Sequence, residues 1–427
     1  MLRRVFLSIL LLLTAGLLAA GWYASTKGFT QKWRRFVVRE FHKRGVELAL
    51  SKLTLEPFRG IVAKQVRLYD HRDRKRAVAV VDEVRLVINF ANFFQGKPFI
   101  DALDLHDANL DVPLDPAKPG GTKVAIRHLS GRLFLPPRQI HLSRLEAELY
   151  GIRVRASGQL INPRNFSFFS KKSGGAAELA ERVIAEIRKL KFEGAPPQLE
   201  VRFSGDLDQP EQLFVEATLW AEKVRRDNCL LENFYVNGGF RDGIARLRQL
   251  TANDAGGVLR ASGSYDAATR EAALQLHSGL DVQKLAQSFA RIAELEECVF
   301  YAPPALDLTA RATFGASLSF HAIGHVRLEK FACKSVIFES FDADLSADGK
   351  RWAALDVRLA HRTGEIAGDV LQLEEEFRSG LKSTIRRKVL APVLTGKIGE
   401  WFREVEFAES AKVGARVSQT VAAAHLH

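Results

Sequence analysis

Few residues of this 427-residue chain are spaced for chemistry. His71-Arg72-Asp73 copies the letters of a kinase catalytic loop. No glycine-rich phosphate loop or Asp-Phe-Gly accompanies it, so a solvated hairpin is the expected reading. His42, His106, His128 and His141 are scattered without the spacing of metal ligands. Lys118-Pro119-Gly120-Gly121-Thr122-Lys123 lacks both the first glycine and the Gly-Lys-Ser/Thr ending of a P-loop. Cys229, Cys298 and Cys333 contain no Cys-x-x-Cys pair, and three is an odd number for a disulfide framework, so structural thiols are expected. No nucleophile has a base near it. The expectation is a protein that is not an enzyme and uses no metal or cofactor.

What the chain offers instead is surface, and its N-terminus is written for a membrane. Val5 to Tyr23 is 19 residues without a charge, just long enough to span a hydrocarbon core. Arg3 and Arg4 precede it, and Trp22 and Tyr23 stand where an interfacial aromatic belt would. The competing reading is a cleaved signal peptide ending near Leu18-Ala19-Ala20, but the apolar stretch exceeds the about 7–15 residues of a usual signal core. Residues 1–23 are therefore read as a cytoplasmic stub and transmembrane anchor.

Residues 24–44 follow as a basic amphipathic helix. Trp33, Phe36, Val37 and Phe41 share one helical face, while Arg34, Arg35 and Arg39, with Lys32 and Lys43, surround the rest. Such a helix suits an interface carrying anionic headgroups. Nine basic residues against Glu40 alone give residues 1–44 a net charge of +8 out of the chain's +12, so the basic pI reports the membrane end and argues against nucleic acid as a partner. More basic residues follow the span than precede it, and a simple positive-inside count would leave the body in the cytoplasm.

Beyond residue 45 the dominant signal is alternation with period two. Val84, Leu86 and Ile88 alternate with Arg85 and Val87, and Leu103 and Leu105 flank Asp104. Leu199, Val201 and Phe203 alternate with Glu200 and Arg202; Leu306 and Leu308 with Asp307 and Thr309; Leu355, Val357 and Leu359 with Asp356 and Arg358. These read as antiparallel strands with one apolar and one wet face, joined as meandering hairpins.

A pattern also recurs about every 105 residues. Arg155-Ala156-Ser157-Gly158 reappears as Arg260-Ala261-Ser262-Gly263 and more weakly as Glu365-Ile366-Ala367-Gly368, while Ala195-Pro196-Pro197 returns 107 residues on at Ala302-Pro303-Pro304. Helical stripes keep the same step: Leu179, Val183, Ile187 and Leu190 near 176–192, then Val282, Leu285, Phe289 and Ile292 near 282–297. A third helix is expected from Leu373, Phe377, Leu381 and Ile385, and a short fourth from Leu394, Ile398, Trp401 and Phe402. The fold class expected is mainly β with a few helices: an N-terminal transmembrane helix, then an elongated, repetitive antiparallel β-sheet groove over 45–371, then C-terminal helices and a flexible tail over 372–427. The Gly158, Gly263 and Gly368 segments should occupy equivalent strands, each preceding a helix.

The opening of the body carries a resemblance. Val46-Glu47-Leu48-Ala49-Leu50-Ser51-Lys52-Leu53-Thr54-Leu55-Glu56-Pro57-Phe58-Arg59-Gly60 runs into Ile61 to Asp70, followed by Val81-Asp82-Glu83-Val84-Arg85-Leu86 and Ile100-Asp101-Ala102-Leu103-Asp104-Leu105. This arrangement resembles the start of AsmA-like proteins of Gram-negative bacteria, clearest over residues 1–160. The resemblance implies a periplasmic β-sheet groove anchored in the inner membrane by a single pass. It implies a part in moving phospholipid towards the outer membrane and in keeping that membrane intact, with envelope proteins as partners completing a bridge. It also turns the orientation towards an N-in, body-out protein.

A groove of this kind should be lined by Val84, Leu86, Ile88, Leu103, Leu105, Leu199, Val201, Phe203, Leu306, Leu308, Leu355 and Val357. The membrane interface should be Trp33, Phe36, Val37 and Phe41 with Arg34, Arg35 and Arg39. The alternatives are a scaffold for assembly of outer-membrane proteins, working through sheet edges and polar faces, and a closed β-sandwich with no ligand. The geometry of the apolar face separates them: open favours lipid, closed favours structure.

Overall fold

The computed structural model describes residues 28–43, 47–56, 60–70, 73–113, 123–162, 181, 184–209, 212–289, 297–315, 318–334, 336–374, 376–393 and 413–420, apart from positions 98, 137 and 207. The expected anchor at 1–23 lies outside these residues, as do Leu179, Val183, Ile292 and the expected fourth helix. No helix among the described residues is long and apolar enough to cross a membrane. The chain divides into two compact units, Met1–Lys189 with Pro196–Ala217 and Leu190–Ala195 with Thr218–His427.

The first unit holds helices α1 (Gln31–Lys43) and α2 (Phe90–Phe94). Its strands are β1 (Glu47–Ala49), β2 (Lys52–Glu56), β3 (Gly60–Asp70), β4 (Asp73–Ile88), β5 (Ile100–Pro113), β6 (Lys123–Phe134), β7 (Gln139–Leu149) and β8 (Ile152–Ile161). After the three-residue β9 (Lys191–Glu193), which belongs to the second unit, β10 (Gln198–Asp206) returns to the first. Strands β1 and β2 both lie antiparallel against β3, and β3 to β8 follow one another as an antiparallel meander. Strand β10 then pairs with β8 in parallel, after a crossover that contains helical residues 184–188. A parallel partner needs such a crossover, because a tight turn can only reverse the chain. The expected all-antiparallel sheet is thus corrected to a mixed one.

In the second unit come β11 (Phe214–Arg226, of which residues 218–226 belong here), β12 (Cys229–Arg241), β13 (Ile244–Asn253), β14 (Val258–Asp266), β15 (Glu271–Ser278), α3 (Val282–Phe289), β16 (Cys298–Phe300) and β17 (Ala305–Phe314). They are followed by β18 (Leu318–Cys333), β19 (Val336–Asp348), β20 (Arg351–His361), β21 (Gly364–Leu373), β22 (Glu376–Ser383), α4 (Arg387–Leu390) and β23 (Val413–Thr420). Strands β12 to β15 and β17 to β23 pair in sequence order, with β15 against β17, all antiparallel. Two short strands join from outside the meander, β9 on β11 and β16 on β18.

The hairpins obey turn chemistry where the sequence supplies it. Tyr150-Gly151 and Asp242-Gly243 are two-residue loops with φ near +50° and +80° at their two positions. This is the type I′ geometry that matches strand twist. Positive φ also appears inside strands, at Asp107, His128, Asn233 and Asp356, where the ladders around β5, β6, β12 and β20 shift register. Each such bulge inserts a residue and sharpens the bend of its strand.

The repeat has a physical cause in its glycines. A Cβ on Gly158, Gly263 or Gly368 would lie 1.9, 2.6 and 2.2 Å from the carbonyl oxygens of Phe203, Ala273 and Gly380 respectively. In all three the neighbouring strand, β10, β15 or β22, approaches too closely for any side chain. The topology around them is not the same, however. From Gly158 the chain goes through a crossover to a parallel partner, whereas Gly263 and Gly368 lead through hairpins to antiparallel ones before the helix comes.

The third expected helix is corrected. Leu373 ends β21, Phe377 and Leu381 lie on β22, and among the described residues the helix that follows Ile385 is the short α4. A spacing of four residues returns to the same face of a strand as well as of a helix, so the stripe did not discriminate. The expected flexible tail likewise contains β23, paired to β22 from Glu376↔Thr420 to Ser383↔Val413.

Candidate functional site

Register assembles the apolar residues of the first unit into rows across its strands. Leu55, Ile61, Leu86, Leu103, Leu133, Leu142, Gly158 and Phe203 are successive cross-strand partners, and so are Leu53, Ala63, Val84, Leu105, Gly131, Leu145, Ala156 and Val201. Leu199 stands opposite Val154 on the same face. The expected lining residues of this unit thus share one face, as alternation requires.

The near end of that face is closed. Val84 and Leu86 are each 5% exposed and share one buried cluster with Val37 and Phe41 of α1, Phe99, Ile100 and Leu53. Ile88, Leu103 and Leu105 pack against this cluster half-buried. Two expectations are corrected. Val84 and Leu86 are core rather than open lining, and Val37 and Phe41 dock onto protein rather than a membrane. Buried Glu40 reinforces the docking by accepting the Phe99 N–H at 3.2 Å. Trp33 and Phe36 remain partly exposed, 44% and 37%, at the end of a ring series in which Phe36 stacks on Phe99 with centroids 5.1 Å apart.

The polar side of α1 lies against β1 and leaves a cleft of about 460 Å³. It is lined by Arg34, Arg35, Arg39 and His42 on one side and by Leu48, Ala49 and Leu50 on the other. Arg34 donates to the Ser51 carbonyl and His42 pairs with Glu47 at 2.5 Å, while the Arg35 and Arg39 residues are exposed. A cationic rim over an apolar wall can take an anionic group on an apolar tail.

The second unit has apolar rows of its own, and among the described residues no large side chain fully buries their middle. Val236, Leu250, Ala261, Leu276, Leu308, Gly324, Leu345, Ala354 and Val370 are successive partners. The next row runs Leu247, Gly263, Leu274, Ala310, Ala322, Ala347 and Trp352. Besides buried residues such as Ala221, Val224, Ala343 and Val357, burial gathers in two clusters, one joining Cys229, Leu231, Ala252 and Leu280 with Leu285 of α3, the other joining Phe331, Phe338, Ile385 and Leu390 of α4. Between them Leu274 and Leu345 are 39% exposed and Trp352 45%. Along β17, Leu306, Leu308, Ala310 and Ala312 are half-buried while Asp307, Thr309, Arg311 and Thr313 are exposed.

Two further expected residues lie on β20, and they part company. Asp356 is an inserted residue at φ +50°, with register shifts on both sides of the strand. Val357 is buried on the apolar side, but Leu355 pairs with Asp344 on the other face, a correction that the bulge explains.

The opposite faces carry charge in matched pairs. In the first unit Asp104 accepts from Arg132 at 2.6 and 2.9 Å and lies near Arg85. Arg155 bridges Glu146 and Glu200. The Arg144 hydrogen bond holds the Glu146 carboxyl below its ordinary value. In the second unit His277, Asp307, His325 and Asp344 alternate across four strands, with His277 to Asp307 at 2.5 Å and His325 to Asp344 at 2.8 Å. The Asp344 hydrogen bond raises the His325 imidazole above its ordinary value, with Asp342 in support. Among the described residues no three His, Cys, Asp or Glu side chains converge as a metal site. Sequence reasoning missed this ladder because it is built by register between strands 19 to 30 residues apart.

No family profile, curated protein or solved structure matches the chain.

Proposed function

We propose that this protein is a membrane-anchored lipid-binding protein of the AsmA-like kind, single-pass in the inner membrane with its body in the periplasm, which assists phospholipid transport between the inner and outer membranes and outer-membrane maintenance. The observation that carries the reading is the half-exposed apolar face of the second unit. Leu250, Leu276, Leu308 and Leu345 stand in one row with small residues, Ala261 and Gly324, between them. Water against such a row is unfavourable by about 25 cal/mol per Å² of apolar surface, and an acyl chain laid along it removes that cost. A β-sandwich would bury these side chains under a second sheet, and their exposures argue for an open face.

Two features support the membrane half of the reading. The uncharged Val5–Tyr23 segment lies seven residues before α1, whose Arg35 and Arg39 suit lipid phosphate. The described parts of the motifs that resemble AsmA-like proteins, Glu47–Glu56, Gly60–Asp70, Val81–Leu86 and Ile100–Leu105, run along β1 to β5, while Val46 and Pro57-Phe58-Arg59 lie outside the described residues. Envelope proteins that complete a bridge are the partners this reading expects. Native mass spectrometry of the full chain released from mild detergent tests it. Phospholipid retained at stoichiometric amounts is the expected result, and lipid-free protein under conditions that keep other lipid carriers loaded would overturn it.

A further inference from the structure

The three cysteines are separated in sequence, yet register brings two of them together. Strand β16 lies antiparallel on β18 with Cys298 opposite Cys333, Val299 opposite Ala332 and Phe300 opposite Phe331. The backbone bonds flanking these pairs are Lys334 N–H to the Glu297 carbonyl at 3.2 Å and Tyr301 N–H to the Lys330 carbonyl at 3.0 Å. In an antiparallel ladder, hydrogen-bonded and non-hydrogen-bonded pairs alternate. Residues 297 with 334 and 301 with 330 are hydrogen-bonded pairs, so Cys298 with Cys333 is a non-hydrogen-bonded one. There the Cα atoms stand about 4.5 Å apart and the side chains are closest, which falls within the roughly 4.4–6.8 Å that a disulfide accepts.

We propose that Cys298 and Cys333 are a disulfide site, closed by thiol exchange with a small or protein disulfide in an oxidising compartment. One thiolate of the pair attacks the donor disulfide, whose S–S bond breaks and releases one thiol, leaving a mixed disulfide on the protein. The second cysteine then loses its proton and attacks the protein-side sulfur, expelling the second thiol. The donor gains two electrons and two protons, and the protein loses two hydrogens.

The surroundings suit a staple. Strand β16 is three residues long and is held by its three register pairs, by the Lys334 to Glu297 ion pair at 3.3 Å and by Gln283 of α3, which donates to the Cys298 carbonyl at 3.2 Å. Phe300, Phe331 and Phe338 wall off one side. Burial, and then the hydrogen bond with Cys333, push the Cys298 thiol up to about 12, so exchange is slow at neutral pH and accelerates as pH rises. Cys229 sits in the other buried cluster, and burial raises its thiol too, which makes it the internal control.

The full chain, purified under reductant and then held with oxidised glutathione, is denatured, treated with N-ethylmaleimide and weighed. One maleimide adduct is expected after oxidation against three for reduced protein, with a Cys298–Cys333 linked peptide on digestion. Reductant should lower the Tm of the oxidised protein by about 5–10 °C, the loss expected for a loop of this length. Cys298→Ser should trap glutathione on Cys333 and show no such shift. Three adducts after oxidation, a linkage to Cys229, or persistent glutathione on the native pair without a linked peptide would each overturn the proposal.

Discussion

The apolar faces of the two units are written in the same alternating code and come to different ends. In the first, the two rows through Val84 and Leu86 meet α1, whose Val37 and Phe41 seal these two side chains to within a few percent of full burial. In the second, Leu276 and Leu308 occupy comparable places in a strand row but remain half-buried, because α3 and α4 serve only the two clusters flanking them. A strand's pattern states which side is apolar and leaves open what covers that side. The covering element decides whether a leucine holds the fold together or waits for a ligand.

The sharpest way to break this comparison is to place the same charge in both settings. Leu86→Asp puts an unpaired carboxylate in a dry cluster and should cost about 3–5 kcal/mol, enough to unfold the first unit in thermal denaturation followed by circular dichroism. Leu308→Asp on the half-open row should leave the melting curve within a few degrees of wild type while co-purified phospholipid falls. Equal destabilisation by both would mean that the second face is closed after all.

Glycine tests the sheet beneath the faces. At Gly158, φ is +155° and a Cβ would overlap the Phe203 carbonyl, so Gly158→Ala must separate β8 from β10. A loss of about 2–3 kcal/mol is expected by chemical denaturation. Gly151 also has a positive φ but open space around it, and Gly151→Ala should cost about 1 kcal/mol.

How much of this was legible in the sequence depends on whether the signal was local. Alternation placed β17 and the pairing of Leu103 with Leu86 needed only hairpin order. Leu355 was misplaced because one inserted residue, Asp356, reverses the phase, and aspartate tolerates the left-handed conformation without advertising it. Val37 and Phe41 were assigned to the bilayer because an amphipathic helix shows the same stripe to protein and to lipid. The parallel β8–β10 pair and the Cys298–Cys333 pair depend on strands brought together by the fold, and no spacing along the chain encodes them.

Smaller effects refine the picture. Arg35→Ala with Arg39→Ala should weaken binding to anionic vesicles most at low salt, by about 1 kcal/mol per charge, with thermal stability almost unchanged, as sedimentation with vesicles would report. Unchanged binding would remove the basic cleft from the account. On the charged face, the His325 pKa lies above the ordinary imidazole value of about 6.5, so its contribution to stability is fully present below that value and fades as pH rises through the raised one. Asp344→Asn should bring the His325 titration, followed by NMR, back towards the ordinary value. An unmoved titration would show that the row does not couple.

The central claim is that lipid lies on one face of the second unit, and adjacent residues of β17 can decide it. Leu308 belongs to the half-open apolar row and Asp307 to the charged row on the other side. A photo-crosslinking amino acid is installed at each position in turn in the full chain, irradiated in cells and analysed by mass spectrometry. Phospholipid adducts at position 308 and none at 307 are what the account predicts; adducts at neither position, or equally at both, would contradict it.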